Sequence, residues 1–397
     1  MPLDVDRIRS AYPALAEGFV QLDGGGGTQP AEPVIAAVAA AMRMAVSGRG
    51  TFNEPARRSI EIVEAARAAV ADLVGGDPAG VVFGPSATAL TYLVARTLSQ
   101  DWGPGDEVVV SRLDHDANVR PWVQAAEAAG ASVRWAEVDV TTGELPAGQY
   151  RQLIGERTRL VAVTAGSNAN GAVPAVREIA DLAHGAGALT YVDGVHATAH
   201  RPTDVAALGA DFYVTSAYKW SGPHYAAVVA APARWETLRP AKLVPSSDEV
   251  PDRFEYGTLS FELLAGITAA VDHLAGLAAE GETDRRRRLV ASMTAVAAYE
   301  NGLAGRLAAG LAGIGTVTVV PAPAGRCPTI AFRVTGQTPA QTARTLGEQG
   351  ICVSHGDYYA VGFFAAAGLR DGAVRASIYH YNTADEIDRL VAALRQL

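Results

Sequence analysis

One lysine, just beyond an apolar and β-rich run, is the first candidate for chemistry. The run covers residues 211–215, small and polar residues follow it, and Lys219 comes next. An ammonium group resists desolvation, so burial lowers the pKa of a lysine and leaves a neutral amine that can attack a carbonyl carbon. A Schiff base is the usual product of such an amine. Alternatively, Lys219 extends its chain to solvent and has no chemical role.

Polar residues also follow four other strands that the sequence predicts. The residues after the five strands are Ser86, Ala87 and Thr88; His115 and Asn118; Ser167 and Asn168; Asp193 and His196; and Ser216 with Lys219. Ligands of parallel sheets bind outside the carboxyl ends of the strands. We therefore expect these five groups of side chains to form one site.

The elements that carry these residues alternate along the chain. Strands are predicted at residues 81–83, 107–111, 133–137, 160–164, 189–192 and 211–215, and helices at residues 89–98, 119–129 and 176–184. Such alternation predicts an α/β protein whose mainly parallel sheet is covered by helices on both faces. Before it, the sequence predicts a strand at 20–23, a glycine-rich loop at 24–27 and helices at 33–46 and 59–74.

A second, smaller unit follows the alternating part. The regular pattern lapses at residues 243–258. Helices at 261–277, 284–311, 339–349 and 384–394 and strands at 316–320, 329–334, 351–354 and 374–379 are predicted after it. Thr383 and Glu386 form a capping box that sets the start of the last helix. We expect an N-terminal segment (1–30) that packs on the small domain and the site, a large domain (31–260) and a small C-terminal domain with its linking helices (261–397).

Composition narrows the class of partner. The 397 residues are 49% hydrophobic and 19% charged, with a formal net charge of −9. These values indicate a globular protein with a small-molecule substrate, and they argue against nucleic acid or an anionic membrane as a partner. We expect no transmembrane segment or signal peptide, and hence a soluble cytoplasmic protein.

The two cysteines predict neither a disulfide framework nor a metal site. Cys327 and Cys352 are far apart in the sequence, and neither has histidine or cysteine neighbours at ligand spacing. Each is therefore interpreted as a small hydrophobic side chain. This pattern suits a reducing compartment.

Taken together, the lysine, an aspartate, a histidine and a loop at a helix start fit the chemistry of pyridoxal phosphate. A lysine holds the cofactor aldehyde, an aspartate keeps the pyridine nitrogen protonated, and the start of a helix binds the phosphate. Residues 84–88 supply such a loop, and Asp193 closes an apolar strand. Each residue alone has an ordinary structural explanation, such as a helix cap or a turn. The combination predicts a pyridoxal-phosphate enzyme.

Motifs over nearly the whole chain carry a resemblance to a known family. They are Val20-Gln-Leu-Asp23, Ser86-Ala-Thr88, His115-Asp-Ala-Asn118 with Pro121-Trp122, Ser167-Asn168, Val192-Asp-Gly194, residues 211–216 with Lys219, Gly222-Pro223, Gly257-Thr258, Arg375-Ala-Ser377 and Tyr381-Asn-Thr383. In these the chain resembles the class V aminotransferases, which are fold-type I pyridoxal-phosphate enzymes, and within them the cysteine desulfurase branch. The resemblance implies a large domain built on a mainly parallel seven-stranded-type sheet, a smaller C-terminal α/β domain, and a homodimer with shared active sites.

The resemblance also implies a role for individual residues. Lys219 would form the Schiff base, Asp193 would pair with the pyridine nitrogen, and His115 would stack on the ring. Ser86, Ala87, Thr88 and Ser216 would hold the phosphate, with Gly257 and Thr258 arriving from the other subunit. His196 stands where many relatives have a glutamine that touches the phenolic oxygen. Arg375 would bind the substrate carboxylate, Tyr359 would also belong to the substrate site, and Asn168 would contact both the substrate and the cofactor.

Departures from the desulfurase pattern concern the reaction. Alignment of residues 350–356 places Tyr359 where desulfurases carry the cysteine that accepts sulfur, and Cys352 falls earlier, within a strand. Tyr218 replaces the histidine that precedes the lysine. We therefore expect a β-elimination or C–S lyase reaction on an amino acid, without a protein persulfide. Transamination and epimerisation remain alternatives, as does a scaffold that binds cofactor or a sulfur-carrier partner without turnover.

Overall fold

The protein is described by a computed structural model that covers residues 3–278 and 282–397. Its strands are β1 (Val20–Gln21), β2 (Val81–Gly84), β3 (Glu107–Ser111), β4 (Ser132–Ala136), β5 (Thr158–Thr164), β6 (Leu189–Asp193), β7 (Phe212–Ser216), β8 (Ala226–Val229), β9 (Val317–Val319), β10 (Thr329–Val334), β11 (Ile351–Cys352), β12 (Ser354–Gly356) and β13 (Ala373–Ser377). Its helices are α1 (Val5–Ser10), α2 (Glu32–Arg43), α3 (Glu54–Val74), α4 (Ala87–Leu98), α5 (Arg120–Ala129), α6 (Tyr150–Leu153), α7 (Val176–Gly185), α8 (Val205–Leu208), α9 (Pro232–Glu236), α10 (Phe261–Ala275), α11 (Arg285–Ala312), α12 (Pro339–Glu348), α13 (Val361–Ala366) and α14 (Ala384–Leu394).

A seven-stranded sheet forms the centre of the described chain, in the order β2-β8-β7-β6-β5-β3-β4. Strands β3 to β7 run parallel to their neighbours within that group, which confirms the predicted mainly parallel sheet. Strand β8 is antiparallel to both β7 and β2. The sequence analysis did not predict β8, because its four small apolar residues lie in no strand–helix repeat.

Side chains of the central strands pack alternately on the two faces of the sheet. In β5, Val161 and Val163 belong to one buried cluster, whereas Leu160 and Ala162 belong to another. Alternation of this kind follows from the two-residue period of a strand, and two apolar faces require helices on both sides. The predicted covering of the sheet by helices is therefore present.

The C-terminal part forms a separate antiparallel sheet in the order β12-β13-β10-β9. Its apolar face packs with side chains of α11 and α14, including Leu307 and Leu390. The strand predicted at 351–354 is in fact two strands in different sheets. Strand β11 pairs with β1, whereas β12 pairs with β13, so the chain changes partner at Val353.

Two helix starts differ from the prediction because of polar caps. Helix α3 begins at Glu54, where the side chain of Asn53 accepts a hydrogen bond from Ala56 N. Helix α4 begins at Ala87, where Ser86 is the cap. The capping box predicted for the last helix, with Thr383 and Glu386, is present. No helix in the described ranges is long and apolar enough to cross a membrane.

Candidate active site

A cavity of about 590 Å³ lies at the carboxyl ends of the central strands and extends to the small-domain sheet. The predicted site residues that line it are Ser86, Ala87, Thr88, His115, Asn168, Asp193, His196, Ser216, Lys219, Tyr359 and Arg375. The parallel register of β5, β6 and β7 brings Thr164, Asp193 and Ser216 to the same edge of the sheet. The cavity therefore unites eleven of the predicted residues, and Gly257 and Thr258 lie outside it.

Lys219 lies in a single 3-10 turn that follows β7, and its side chain is only 8% exposed. Nζ donates a hydrogen bond to the carbonyl oxygen of Gly25, in the N-terminal glycine loop. Burial lowers the pKa of Lys219 to about 7, the nearby charge of Arg375 adds to this, and Asp23 and Asp193 oppose it. A substantial fraction of this amine is therefore neutral near pH 7, as a nucleophile or general base requires.

Asp193 is the last residue of β6 and is also buried. Its Oδ1 accepts a hydrogen bond of 2.8 Å from Val195 N, and its other oxygen has no protein partner in the described chain. Burial raises the pKa of this carboxyl group to about 6, although the charge of Lys219 lowers it. A cationic N–H group in the cavity would satisfy the second oxygen and restore the charged form.

His115 caps a 3-10 turn through Nδ1, which accepts a hydrogen bond of 3.0 Å from Ala117 N. Burial lowers the pKa of His115 to about 4, with a further contribution from Lys219, so the ring is neutral near pH 7. The ring of Tyr359 stacks on it, with centroids 5.3 Å apart and planes 26° apart. His115 therefore presents a neutral aromatic ring, which is suited to stacking on a flat aromatic ligand.

A buried network holds the loop of His115 in place. Asp114 accepts hydrogen bonds from the Ser111 hydroxyl and, at 2.6 Å, from Asn118 Nδ2. The indole of Trp122 donates to Asn118 Oδ1 at 3.1 Å. Burial raises the pKa of Asp114 to about 8, which favours the protonated carboxyl group near pH 7. Asn118, a candidate from its position after β3, thus supports the site without lining the cavity.

The loop predicted to bind an anion lies at the start of α4 and borders the cavity. The Ser86 hydroxyl accepts a hydrogen bond of 3.1 Å from Ala89 N, so the residue caps the helix. The first N–H groups of a helix have no partner within it and point toward an anion at its end. Ser86, Ala87 and Thr88 line one side of the cavity, together with Ser216 at the end of β7.

Arg375 projects from β13 and is 2% exposed. Its Nη1 donates to the carbonyl oxygen of Asn168 at 2.9 Å, and its Nη2 donates to Asp23 Oδ1 and Ser354 Oγ, each at 3.2 Å. Nε is buried without a partner in the described chain. The carboxylate of Asp23 thus occupies a position on the guanidinium that another carboxylate could take.

The segment 357–359 covers the same region of the cavity. The ring of Tyr358 lies 4.2 Å from the guanidinium carbon of Arg375, and Tyr358 O accepts a hydrogen bond of 2.9 Å from Asn168 Nδ2. Tyr358 and Tyr359 have positive φ angles of 53° and 60°. Bulky residues rarely adopt this conformation, so the surrounding contacts must hold it. Tyr359 itself is 70% exposed.

Several residues of the site were not predicted. They are Asp23, Gly25, Ser354 and Tyr358 around Lys219 and Arg375, and the pair Thr329 and Ser377 beside His196. The glycine run was a usable signal, because a Cβ at Gly25 would lie 2.5 Å from Ser377 Oγ and 2.9 Å from Arg375 Cζ. Asp23 and Ser377 lie in motifs of the family resemblance but were given no role there. For Ser354, Tyr358 and Thr329 the sequence offered no local signal, since their partners are far away along the chain.

Gly257 and Thr258 line a second cavity, of about 770 Å³. This cavity is larger than the first, but charged side chains at its wall are already paired with one another. Arg67 bonds Glu255 at 2.9 Å and Asp252 at 2.8 Å. Gly257 and Thr258 are therefore separate from Lys219 of the same chain. Residues that contribute to the site of a neighbouring subunit would have such a position.

The donor set of the first cavity fits pyridoxal phosphate. Lys219 has no carboxylate partner within the described ranges, and one oxygen of Asp193 is unpaired there. The start of α4 suits a phosphate, and His115 offers a flat neutral ring. The cavity volume lies within the range usual for small-molecule sites.

Comparison with known proteins agrees with this geometry. The family model described as Aminotransferase class-V matches residues 20–390. The chain is 37% identical to an uncharacterised protein of Mycobacterium tuberculosis, with both chains covered at 100%. It is 35% identical to a probable cysteine desulfurase of Pseudomonas aeruginosa, covering 97% of this chain and 96% of that one. The crystal structure of a cysteine desulfurase of Escherichia coli in its S-sulfonic acid form matches with a TM-score of 0.89 at 26% identity, over 100% and 98% of the two chains.

Proposed function

The chain belongs to the class-V aminotransferase family of pyridoxal-phosphate enzymes, and from this premise we propose that it is a lyase that eliminates a β-substituent from an amino acid. The substrate class we favour carries sulfur at Cβ. The single observation that supports the proposal is that no cysteine lines the described cavity, whereas a lysine, an aspartate and an arginine do.

The proposed reaction requires no other co-reactant than water. When bound, pyridoxal phosphate supplies an electron sink for the charge that develops at Cα. Lys219 accepts the Cα proton, and the Cβ–S bond breaks with its electron pair leaving on sulfur. Water then hydrolyses the released enamine to a 2-keto acid and ammonia. Asp193 would keep the ring nitrogen of the bound cofactor protonated, and Arg375 would orient the substrate carboxylate.

Neither cysteine has the properties of a sulfur acceptor. Cys327 is buried, and burial raises the pKa of its thiol to about 12. Cys352 lies in β11, and burial raises the pKa of its thiol as well. Because the thiolate is the reactive form, both side chains are poor nucleophiles at neutral pH. At the loop position of the desulfurase cysteine this chain has Tyr359.

An amino-acid panel tests the reaction class. Purified protein with cofactor is incubated with single amino acids, and keto acid, ammonia, sulfide and alanine are measured. Elimination predicts equal amounts of keto acid and ammonia, together with a sulfur product. Alanine in place of keto acid would indicate desulfuration, and amino-group transfer to an added keto acid would indicate transamination. Either result would overturn the lyase proposal.

The cysteine variants supply a second test. Changing both Cys327 and Cys352 to serine should leave turnover within a few fold of wild type, and mass spectrometry of the protein during turnover should show no added sulfur. The visible absorbance of the cofactor serves as the control for folding of the variant. Lost turnover with normal absorbance would show that a cysteine takes part.

We also propose a homodimer in which Gly257 and Thr258 complete the neighbouring subunit's site. Both residues lie outside the Lys219 cavity of their own chain. Large apolar side chains are exposed elsewhere in the described chain, including Val244 at 97% and Phe52 at 77%. Exposed apolar groups of this size are typical of an interface.

Complementation tests the shared site. A Lys219→Ala chain is mixed with a Thr258→Trp chain under conditions that exchange subunits. Each heterodimer then has one site that is wild type at both positions, so activity should reappear. Exchange demonstrated by differently tagged chains without recovered activity would show that each site is built within one chain.

A further inference from the structure

A chain of hydroxyl groups connects the small domain to His196 in the floor of the cavity. Thr329 Oγ1 lies 3.0 Å from His196 Nε2 and 3.0 Å from Ser377 Oγ. Thr329 and Ser377 are paired across strands β10 and β13. All three side chains are buried, with exposures of 4% for His196 and 0% for the hydroxyl residues. The two hydroxyl groups are therefore out of contact with bulk water, whereas the ring of His196 borders the cavity.

Two directions of hydrogen bonding are possible along this network. In the first, Ser377 donates to Thr329, and Thr329 donates to His196 Nε2. In the second, His196 Nε2 donates to Thr329, and Thr329 donates to Ser377, whose own proton then has no acceptor in the described part of the chain. A buried donor without an acceptor costs free energy, so the first direction is the stable one.

The first direction determines which ring nitrogen carries the proton. Since Nε2 accepts a hydrogen bond, the neutral imidazole must be protonated at Nδ1. Nδ1 has no hydrogen-bond partner within the described ranges. It is also not one of the fully buried polar atoms that lack a partner there, so it is not completely enclosed by protein. Because His196 lines the cavity, its N–H group is available to a ligand.

The charges around His196 favour the neutral ring. Lys219 and Arg375 act on it across the cavity, and the ring of His200 packs edge-on at 4.7 Å. Burial is the largest of the effects that lower the pKa of His196 well below its ordinary range. A neutral donor at this position can stabilise an anionic oxygen without competing with Lys219 for a proton.

We propose that Thr329 and Ser377 are positioning residues that hold His196 in the Nδ1–H form, so that it donates a hydrogen bond to the ring oxygen of the cofactor. The inference rests on the proposed function. The family resemblance already implies that the residue at this position contacts the phenolic oxygen of the cofactor, and what the network adds is the tautomer of His196. The small domain thereby contributes to the electronic state of a cofactor held by the large domain.

The first test is direct and needs no cofactor. In cofactor-free protein labelled with ¹⁵N-histidine, His196 should show a protonated Nδ1 and an unprotonated Nε2, with its signals assigned by comparison with His196→Gln. Thr329→Val should produce a mixture of the two tautomers, and Thr329→Ser should retain the wild-type form. A proton on Nε2 in the wild-type protein would overturn the proposal. This measurement stands even if the cofactor proposal fails.

The second test uses the pH dependence of the cofactor absorbance. A lost donor destabilises the anionic ring oxygen, so Thr329→Val should move the midpoint of the transition upward by about one pH unit. Ser377→Ala should move it in the same direction by less, and Thr329→Ser should not move it. Thr342→Val serves as the control. Thr342 lies in α12, is buried, and donates a hydrogen bond to the side chain of Gln337, which precedes that helix. An unchanged midpoint in both Thr329→Val and Ser377→Ala would overturn the proposal. If Thr329→Val does not fold, Ser377→Ala alone decides.

Discussion

The cavity has one side at the seven-stranded sheet, the large-domain side, and one at the four-stranded sheet, the small-domain side, named after the predicted domains. The two sides are built in different ways. On the large-domain side several supporting hydrogen bonds are local: Ser86, His115 and Asp193 each accept one from a backbone N–H two or three residues further along the chain. Lys219 and His196 are the exceptions, since they bond Gly25 and Thr329. On the small-domain side the hydrogen bonds are long-range: Asn168 and Tyr358 are 190 residues apart, and Asp23 and Arg375 are 352 apart. The phosphate, ring-stacking and ring-nitrogen positions thus depend on local strand ends, and the contacts of Arg375 depend on the packing of distant segments.

This difference distinguishes two kinds of position: strand ends, which the sheet holds in place, and the segment 357–359, which depends on long-range contacts. A strand end in a parallel sheet keeps its direction as long as the sheet keeps its register. The segment 357–359 depends instead on two tyrosines with positive φ angles and on contacts with Arg375, Asn168 and His115. We expect substitutions on the first side to abolish cofactor chemistry and those on the second to alter substrate use.

The largest effect is expected for Lys219→Ala. Loss of the amine removes both the attachment of the cofactor and the proton acceptor, so kcat should fall by about 10³-fold or more. Borohydride reduction of wild-type protein followed by peptide mapping should place the pyridoxyl label on Lys219.

Lys242 provides the matched control, because it is the other lysine of the chain. Its ammonium group lies 3.1 Å from Asp248, outside the cavity. Lys242→Ala should retain cofactor absorbance and activity. A label on Lys242 would show that Lys219 does not bind the cofactor, and the proposed role of the large-domain side would then be wrong.

A second prediction concerns the stability of the cofactor-free protein. The pKa of Lys219 falls from 10.5 to about 7 on folding, so between these values the unfolded chain binds more protons, and stability rises with pH. Lys219→Met lacks this penalty. The variant should therefore be more stable than wild type by a few kcal/mol at pH 7, on the basis of about 1.4 kcal/mol per pKa unit.

The stabilisation should decrease steadily toward pH 10.5 and remain constant below pH 7. Denaturant unfolding across this range measures it. Lys242→Met is measured in parallel. Subtracting its stability curve removes the pH dependence that comes from the groups common to both variants. A stability difference that does not change with pH would show that Lys219 is not desolvated in the folded chain.

On the small-domain side the largest effect is expected for Arg375→Lys. A lysine cannot form two parallel hydrogen bonds with a carboxylate, so kcat/KM should fall about ten- to a hundredfold while the cofactor absorbance stays the same. Binding of an amino acid should weaken far more than binding of the corresponding decarboxylated amine.

Arg333→Lys is the control for that substitution. Arg333 lies on the neighbouring strand β10 and bonds Asp371 at 2.6 Å, and both side chains are partly exposed. It should behave as wild type. Equal weakening of acid and amine by Arg375→Lys would mean that Arg375 holds the two domains together without recognising the carboxylate.

The smallest effect is expected for Tyr359→Ala. Its ring stacks on His115, and such pairs contribute about 0.5 to 1.5 kcal/mol, so kcat/KM should fall roughly two- to tenfold. Tyr359→Phe keeps the ring and should stay near wild type. A loss as large as that of Lys219→Ala would place Tyr359 in the chemistry itself and contradict the contrast between the two sides.

The sequence by itself predicted the mainly parallel sheet, the ends of its strands and the local caps. It did so because strand alternation, helix capping and turn chemistry act over a few residues. Lys219, Asp193, His115 and Ser86 could be proposed on this basis, and all four line one cavity. The capping box at Thr383 was predicted on the same local grounds.

Only the tertiary structure decided the contacts between distant segments. Strand β8 and the change of partner between β11 and β12 arise from pairing with strands elsewhere in the chain. The bonds of Asp23 with Arg375 and of Thr329 with His196 join residues 352 and 133 positions apart. No local pattern specifies such pairs, because side chains that are remote in sequence meet only when the packing of both domains brings them together.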